Sequence, residues 1–320
     1  MKYLHSVRPY ERACPVAGQS TRSNGGTPLL SVGIPVFNGG RLLVEAIDSI
    51  LGQTLADFEL IIADNASTDE TPTICAGYAA RDSRIRVIRH RENIGAPRNW
   101  NFVARESRGR YFKWASASDR CAPRFLELCV ASLEADSDLA LCYPRTEFIS
   151  TNGTGLGVCE ADFEVMSQHP EVRFAEVCRR MTVNNAQSGV IRRDMLLKTR
   201  LDRCYPHGDL ALMAELSLLG KFRLLSEVLL YRRADPEHWT GQRTPLELEQ
   251  MFRPGATSPR RLLRVRRQLD YLASAIAAPI PIGRRTQAAK FALRDLYWNR
   301  DEVTTELRSL FVAARRAAPQ

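Results

Sequence analysis

The sequence predicts an α/β fold with a mostly parallel, doubly wound sheet and helices on both of its faces. Between residues 30 and 143, short apolar runs that suit buried strands alternate with segments whose apolar residues recur at helical spacing. Strands that alternate with helices of this length form parallel sheets through crossover connections. The predicted strands are Leu30–Val36, Phe58–Ala63, Ile85–Ile88, Tyr111–Trp114 and Leu139–Tyr143.

A helix is predicted after each of the first four strands. Thr68 or Asp69 is placed to cap the second helix, and Pro123 suits the first turn of the fourth. The predicted helices cover Arg41–Leu51, a segment from Thr68 or Asp69 to about Arg81, a segment from the Asn93–Ala96 turn to about Ser107, and Pro123 to about Ala135.

The regular alternation fades after Asn152 and Gly153, so we divide the chain into four parts. These parts are a flexible leader (1–28), the first half of the main domain (29–150), its second half (151–244) and a basic helical extension (245–320). In the second half the pattern predicts helices over 170–181 and 209–219 and strands over 187–192, 222–225 and 228–231. Pro279, Pro281 and Gly283 are expected to interrupt the helical extension.

Composition limits the class of protein. The 320 residues are 44% hydrophobic, enough for a full core, and no apolar run reaches the ~18 residues that a transmembrane helix needs. Residues 1–27 lack the apolar segment of a signal peptide. The eight cysteines form no C-x-x-C pair, and no histidine stands at zinc spacing from them. We therefore expect reduced thiols in a cytoplasmic protein.

The net charge of +9 comes from the C-terminal part of the chain. Residues 253–320 hold 14 Lys and Arg against 5 Asp and Glu, so the rest is neutral. Arginines from Arg260 to Arg267 interleave with Leu262, Leu263, Val265, Leu269 and Leu272, which predicts an amphipathic helix with a packing face and a cationic face. Such a face suits an anionic membrane surface or an acidic, lipid-linked acceptor, although a plain solvated helix also fits, and nucleic acid is disfavoured.

Polar loops follow the first four strands, at the edge where ligands bind in parallel sheets. They are Phe37–Gly40, Asp64–Asp69, Asn93–Asn99 and Ser116–Asp119. Asp64 at the tip of a buried strand can hydrogen-bond a base or ribose, or it can cap the following turn. The convergence of these loops indicates a nucleotide-linked ligand.

Four segments taken together resemble the family-2 glycosyltransferases. They are Pro35–Gly39, Ile61–Thr71, Glu92–Asn101 and Gly109–Pro123, in matching order and spacing over roughly residues 30–145. Weaker similarity continues through Asn184–Arg193, Tyr205–Asp209, Leu218–Phe222 and Glu227–Arg233. The resemblance implies the Rossmann-like GT-A fold and an inverting transfer of a sugar from a nucleotide diphosphate sugar donor to a hydroxyl acceptor.

The resemblance also implies residue roles. Phe37 would stack on the base, with the loop shaped by Pro35 and Val36, and Asp64 would bind the base or ribose. The remaining implied nucleotide contacts are Asn93, Gly95, Arg98 and Ser118. Asp119 would hold Mg²⁺ or Mn²⁺ against the diphosphate. Asp209 would be the general base, with Glu215 in reserve. His238 and Trp239 could line the acceptor side.

The chain departs from the family pattern at Ser118 and Asn65, where relatives often carry Asp. Both changes remove negative charge from the expected metal site, so a catalytically impaired nucleotide-sugar-binding protein is an alternative. A sugar-phosphate nucleotidyltransferase is less favoured, because the loop after the first strand has Arg41 as its single cation. Plain structural roles also stay open: Asp119 and Asp209 could cap helices, and Arg98 could pair with a surface acid.

Overall fold

The computed structural model describes residues 26–234, 243–260 and 262–317, with side-chain detail to residue 308. Most of the predicted leader, as well as Cys14, His238 and Trp239, lies outside these residues. The strands are β1 (Leu30–Val36), β2 (Phe58–Asp64), β3 (Ile85–Arg89), β4 (Tyr111–Trp114), β5 (Arg120–Cys121), β6 (Leu139–Ile149), β7 (Gly155–Val158), β8 (Val190–Arg192) and β9 (Lys221–Arg233).

The strands form one mixed sheet in the order β3-β2-β1-β4-β8-β6-β9-β5, and β7 pairs with β6. From β3 to β4 all pairs are parallel, as predicted, and β6 pairs with β9 in parallel. Strand β8 is antiparallel to both β4 and β6 and so joins the two parallel parts. The parallel part from β3 to β4 brings the tips of β1, β2 and β4 to one edge.

Helices cover both faces of the sheet, which confirms the predicted fold class. The helices are α1 (Gly40–Leu51), α2 (Thr71–Ala79), α3 (Ala96–Glu106), α4 (Phe125–Ala135), α5 (Pro170–Arg180), α6 (Arg193–Leu196), α7 (Gly208–Leu219), α8 (Pro245–Phe252), α9 (Leu263–Ala277), α10 (Ile282–Trp298) and α11 (Arg300–Ala317).

The alternation of side chains along each strand divides the core in two. On β2, Leu60 and Ile62 join α1, α2 and α4 in one apolar cluster, whereas Ile61 and Ala63 join a second cluster with α3, α5 and α7. The extension packs on this second cluster, where Tyr271 and Phe291 meet Phe174 edge-on. The C-terminal helices are therefore part of the same folded body.

Several predicted bounds differ from the structure. Strand β6 extends six residues past Tyr143, and the two predicted strands at 222–231 are one strand, β9, bulged at Ser226–Glu227 opposite Pro144 and Arg145. A 3-10 turn at Ala186–Ser188 precedes the short β8. Helix α8 was not predicted, although Thr244 and Glu247 form a capping box at its start.

The extension also differs in detail from its prediction. Gly283 lies inside α10, so the break between α9 and α10 falls at 278–281. The buried face of α9 is formed by Gln268, Tyr271, Ser274 and Ala275, while Leu269 is exposed. The predicted contact with a membrane or acidic acceptor stays a prediction. Within the described residues, no helix combines the length and apolar character needed to cross a membrane.

No disulfide links the seven cysteines of the described residues, of which five are buried and two are partly exposed. Cys75, Cys121, Cys129 and Cys142 pack as small apolar side chains in the cluster with α1, α2 and α4.

Candidate active site

The loop after β1 exposes an aromatic side chain at the sheet edge. Pro35 and Val36 are buried in the strand, whereas Phe37 is 48% exposed. The next residue, Asn38, adopts a left-handed φ of 50°, and its side chain accepts a hydrogen bond from the Thr68 amide at 2.9 Å. This contact fixes the loop against the tip of β2 and leaves the Phe37 ring free to stack on a planar ligand.

Asp64 at the tip of β2 is 1% exposed. Its Oδ1 accepts from the Ser67 amide at 2.9 Å, which is the turn-capping contact that the sequence allowed. Its Oδ2 is buried without a hydrogen bond and lies 3.5 Å from Arg89 Nε. A buried carboxylate oxygen with unused capacity suits a ligand hydroxyl or amino group.

Asn65 braces the neighbouring loop. Its amide nitrogen donates to Asn93 Oδ1 at 2.8 Å, and its Oδ1 accepts from the Ile94 amide at 2.9 Å. A carboxylate could accept here but could not donate, which explains why asparagine stands at this departure from the family pattern. Asn93 also accepts from the Gly95 amide, so its side chain holds the loop in shape.

Gly95 and Arg98 have different structural settings. Gly95 has a φ of 87°, and a Cβ there would lie 2.4 Å from the Phe252 carbonyl oxygen at the end of α8. Only glycine fits this close approach. Arg98 is exposed on the first turns of α3 and makes no hydrogen bond or ion pair with the described part of the chain. It is a free cation near the β3 tip.

Ser118 and Asp119 follow β4. Ser118 Oγ lies 3.0 Å from Ser116 Oγ, and Asp119 Oδ1 accepts from the Arg233 amide at 3.0 Å. Burial raises the pKa of Asp119, and the nearby Arg232 charge opposes this shift. Asp119 does not cap α4, which begins at Phe125.

These residues fit a resident divalent cation poorly. Asp119 is a single carboxylate with one oxygen engaged, and serines stand on its N-terminal side. Across the described ranges, no three His, Cys, Asp or Glu side chains form a group that could hold a metal. Mg²⁺ and Mn²⁺ favour carboxylate oxygens, and the cationic neighbours of Asp119 work against them. The predicted metal role of Asp119 therefore stays a prediction without a matching ligand set.

Asp209 lies in the first turn of α7 and is partly exposed. Its Oδ2 accepts from Asn184 Nδ2 at 2.9 Å, so the carboxylate is oriented by a neighbouring loop and does not cap its own helix. The preceding Gly208 is required, because a Cβ there would lie 2.3 Å from the Arg203 carbonyl oxygen. The helix N-terminus favours the charged carboxylate.

Glu215 lies two turns further along α7 and is buried in an ion-pair cluster. Its Oε2 meets Arg203 Nη2 at 2.7 Å, and its Oε1 lies 3.4 Å from Arg200 Nε. Both arginines also pair with Asp270 of α9. Both Glu215 oxygens are thus engaged, and the two arginines connect α7 to the extension through Asp270. The reserve role of Glu215 as a base stays a prediction.

Four further residues lie near Asp119 or Asp209 and are not predicted from the sequence, namely Asn184, Asn185, Asp202 and Arg232. Arg232 Nη1 donates to Asn185 Oδ1 at 2.7 Å, and the Arg232 charge lies close enough to Asp119 to oppose the rise in its pKa. Asn184 Nδ2 donates to Asp209 Oδ2. The polar residues after β4 are thereby linked to the start of α7. The stretches 184–193 and 227–233 resemble the family only weakly, and no local sequence feature in them indicates these contacts.

Asp202 is buried at Oδ1 without a partner, and burial, followed by the charge of Asp209, raises its pKa well above the usual range. An acid with a raised folded-state pKa stabilises the fold below its unfolded pKa, and this contribution is lost as pH rises through the folded value. We expect Asp202→Asn to raise the melting temperature at pH 8 more than at pH 4. Exposed Asp194→Asn is the control, and an equal shift at both pH values would contradict the assignment.

Comparison with known proteins agrees with the family resemblance of the sequence. The family model described as glycosyl transferase family 2 matches residues 31–191, half of the chain. Chondroitin synthase of Escherichia coli is 33% identical over 126 residues, which cover 39% of this chain and 18% of that protein. Glycosyltransferase GlyG of Streptococcus pneumoniae is 31% identical over 114 residues, which cover 35% and 38%. The chain thus spans less than two-fifths of these curated relatives.

Solved structures share the fold. A crystal structure of S. aureus TarS 1-349 in complex with UDP-GlcNAc superposes with a TM-score of 0.56 at 15% identity, covering 85% of this chain and 74% of that chain. Mannosyltransferase PcManGT from Pyrobaculum calidifontis, in complex with GDP-Man and Mn²⁺, gives a TM-score of 0.53 at 15% identity over 92% and 77%. With the family model matching half of its residues, the chain belongs to glycosyl transferase family 2.

Proposed function

We propose that this chain is an inverting glycosyltransferase that moves a sugar from a nucleotide diphosphate sugar to a hydroxyl group of an acceptor. Family membership and the nucleotide sugars bound in the similar structures support this class of reaction. The observation that carries this proposal is the placement of Asp209. Asn184 orients its carboxylate, and the next residue, Asn185, accepts a hydrogen bond from Arg232 near Asp119. A candidate base and a candidate anion-binding arginine are thus linked through two adjacent asparagines.

The donor would bind across the strand tips. Phe37 stacks on the base, above the loop that Pro35 and Val36 shape, and Asp64 Oδ2 accepts from the base or ribose. Arg98 supplies a mobile cation for the diphosphate. Asn93 and Gly95 act by shaping their loop, and the hydroxyl of Ser118 lies beside Asp119 at the phosphate side.

The transfer itself is a direct displacement. The acceptor oxygen attacks the anomeric carbon from the face opposite the leaving group, which inverts that centre. Asp209 Oδ1, which makes no hydrogen bond within the described residues, takes the acceptor's proton as the new C–O bond forms. The bond to the nucleoside diphosphate breaks, and its electron pair leaves with the phosphate oxygen. Nearby cations stabilise the charge on this leaving group.

A thermal-shift panel of nucleoside diphosphates and their sugars tests donor binding, since a ligand of the folded state raises its melting temperature. One base should give a clear shift. Phe37→Ala should weaken that ligand's binding by about 10- to 100-fold, because stacking on an aromatic ring is worth about 1–3 kcal/mol per base. Phe37→Trp should retain binding. Equal affinity in Phe37→Ala would remove the ring from the site.

A nucleotide-sugar-binding protein without transfer is the second candidate, favoured by Ser118 and Asn65, which stand where carboxylates would strengthen a metal site. Donor binding without hydrolysis or transfer across a panel of hydroxyl acceptors would support it. Turnover of the bound donor would support the enzyme.

A further inference from the structure

The residues around Asp119 form a cluster with more cations than carboxylates. Arg233 reaches into it from the end of β9: its Nη1 donates to the Ser118 carbonyl at 2.6 Å, and its Nη2 lies 2.5 Å from Glu45 Oε2 on α1. Its side chain is 3% exposed. Arg120 lies 3.8 Å from the same Glu45. Glu45 therefore pairs with two arginines through its Oε2.

Lys113 approaches Asp119 from the other side. It is fully buried in β4, its Nζ donates to the carbonyls of Trp114 and Ser188, and it lies 4.2 Å from the Phe125 ring centre. Burial lowers its pKa, and the Asp119 charge opposes this shift. Its fixed position leaves Lys113 as a structural cation beneath the cluster.

Arg232 is the cation in this cluster that stays available. It is partly exposed, and one nitrogen, Nη1, donates to Asn185. Its other guanidinium nitrogens make no hydrogen bond in the part of the chain that the structure describes. Because one hydrogen bond orients the guanidinium group of Arg232, its remaining N–H donors are available to a ligand. The planar arrangement of such donors matches two phosphate oxygens.

The charges of the cluster around Asp119 determine whether it would favour a divalent cation or a diphosphate anion. Its cations are Lys113, Arg120, Arg232 and Arg233, and its carboxylates are Glu45 and Asp119. A divalent metal entering here meets net positive charge, whereas a diphosphate meets attraction. The same charge that weakens a metal site makes an anion site.

We propose that Arg232, held by Asn185 near Asp119, binds the donor's diphosphate in place of a divalent cation, so that donor binding needs no metal. This rests on the proposed function, because it assumes that the ligand is a nucleoside diphosphate or its sugar. Asp119 then acts as a positioning residue for the end of β9, which explains why one carboxylate persists beside two serines.

Isothermal titration with UDP, GDP, ADP and CDP, each in EDTA and again in Mn²⁺, tests the proposal on binding alone. For the nucleotide that binds, we expect the Kd in EDTA and in Mn²⁺ to agree within about threefold. Arg232→Gln should weaken binding about 10- to 100-fold in EDTA, the effect of losing charge-assisted hydrogen bonds, and Arg232→Lys should restore part of it. Arg110→Gln, an exposed arginine at the opposite end of β4, should bind like the wild type.

Circular dichroism and the melting temperature confirm that the Arg232 variants are folded. A Kd that tightens more than tenfold with Mn²⁺ would overturn the proposal, and so would wild-type affinity in folded Arg232→Gln. Donor binding with either of these results leaves the proposed function in place. Binding of none of the four nucleotides, with or without Mn²⁺, would instead overturn the proposed function itself.

Discussion

Asp209→Asn is expected to lower the rate of sugar transfer by about 10²- to 10⁴-fold, the usual contribution of a general base. Asparagine can still interact with Asn184 at the same place but cannot take the acceptor's proton. Donor affinity should stay within about threefold of wild type, because in the proposed mechanism Asp209 acts on the acceptor and not on the donor. Single-turnover transfer and donor titration measure the two effects separately.

The matched control for Asp209 is Asp301→Asn, which removes a carboxylate from the first turn of α11. It reproduces the loss of a favourable charge at a helix N-terminus without touching the site. Its transfer rate should equal that of the wild type. If Asp209→Asn retains full transfer, the base lies elsewhere and the mechanism proposed here is wrong.

Glu215→Ala is expected to lower the free energy of unfolding by about 3 kcal/mol. Breaking a buried ion pair costs ~3–5 kcal/mol, and the low end applies because Asp270 still pairs with Arg200 and Arg203. Transfer per folded molecule should change little, since both Glu215 oxygens are engaged away from the acceptor. Denaturant titration gives the stability, and activity is compared at equal folded fraction.

The exposed Glu227 of β9 provides the control, and its replacement by alanine should change the unfolding free energy by less than ~0.5 kcal/mol. A stable Glu215→Ala variant that has lost transfer would return the base role to Glu215. Together, the Asp209 and Glu215 variants separate a chemical role from a structural one on the same helix.

The first half of the fold was predictable because its signals are local. The apolar runs at Leu30–Val36 and Phe58–Asp64 and the helical spacing between them lie within short windows of sequence. The capping box at Thr244, which begins the unpredicted helix α8, is an equally local signal. Strand β9 was divided in two because its bulge places exposed Ser226 and Glu227 in mid-strand, where they look like a turn.

The site was predictable only in part, for a related reason. Strand tips are local features, so Phe37, Asp64 and Asp119 could be placed at one edge. The contact of Asp119 with the Arg233 amide joins residues that are 114 positions apart, and no pattern in the sequence predicts a contact over that distance. Likewise, Glu215 has the residue type of a base, and its ion pairs with Arg200 and Arg203 depend on how a loop folds back onto α7.

The bulge in β9 also determines which of two neighbouring arginines, Arg232 or Arg233, has the more exposed side chain. Successive residues of a strand point to opposite faces of the sheet. Arg232 is therefore partly exposed and contacts Asn185, whereas Arg233 is buried and pairs with Glu45. Deleting one residue of the bulge would shift the phase of the strand end and exchange the two positions. The irregular pairing of β6 and β9 thus determines which side chain occupies the partly exposed position, and relatives that differ in bulge length would place a different side chain there.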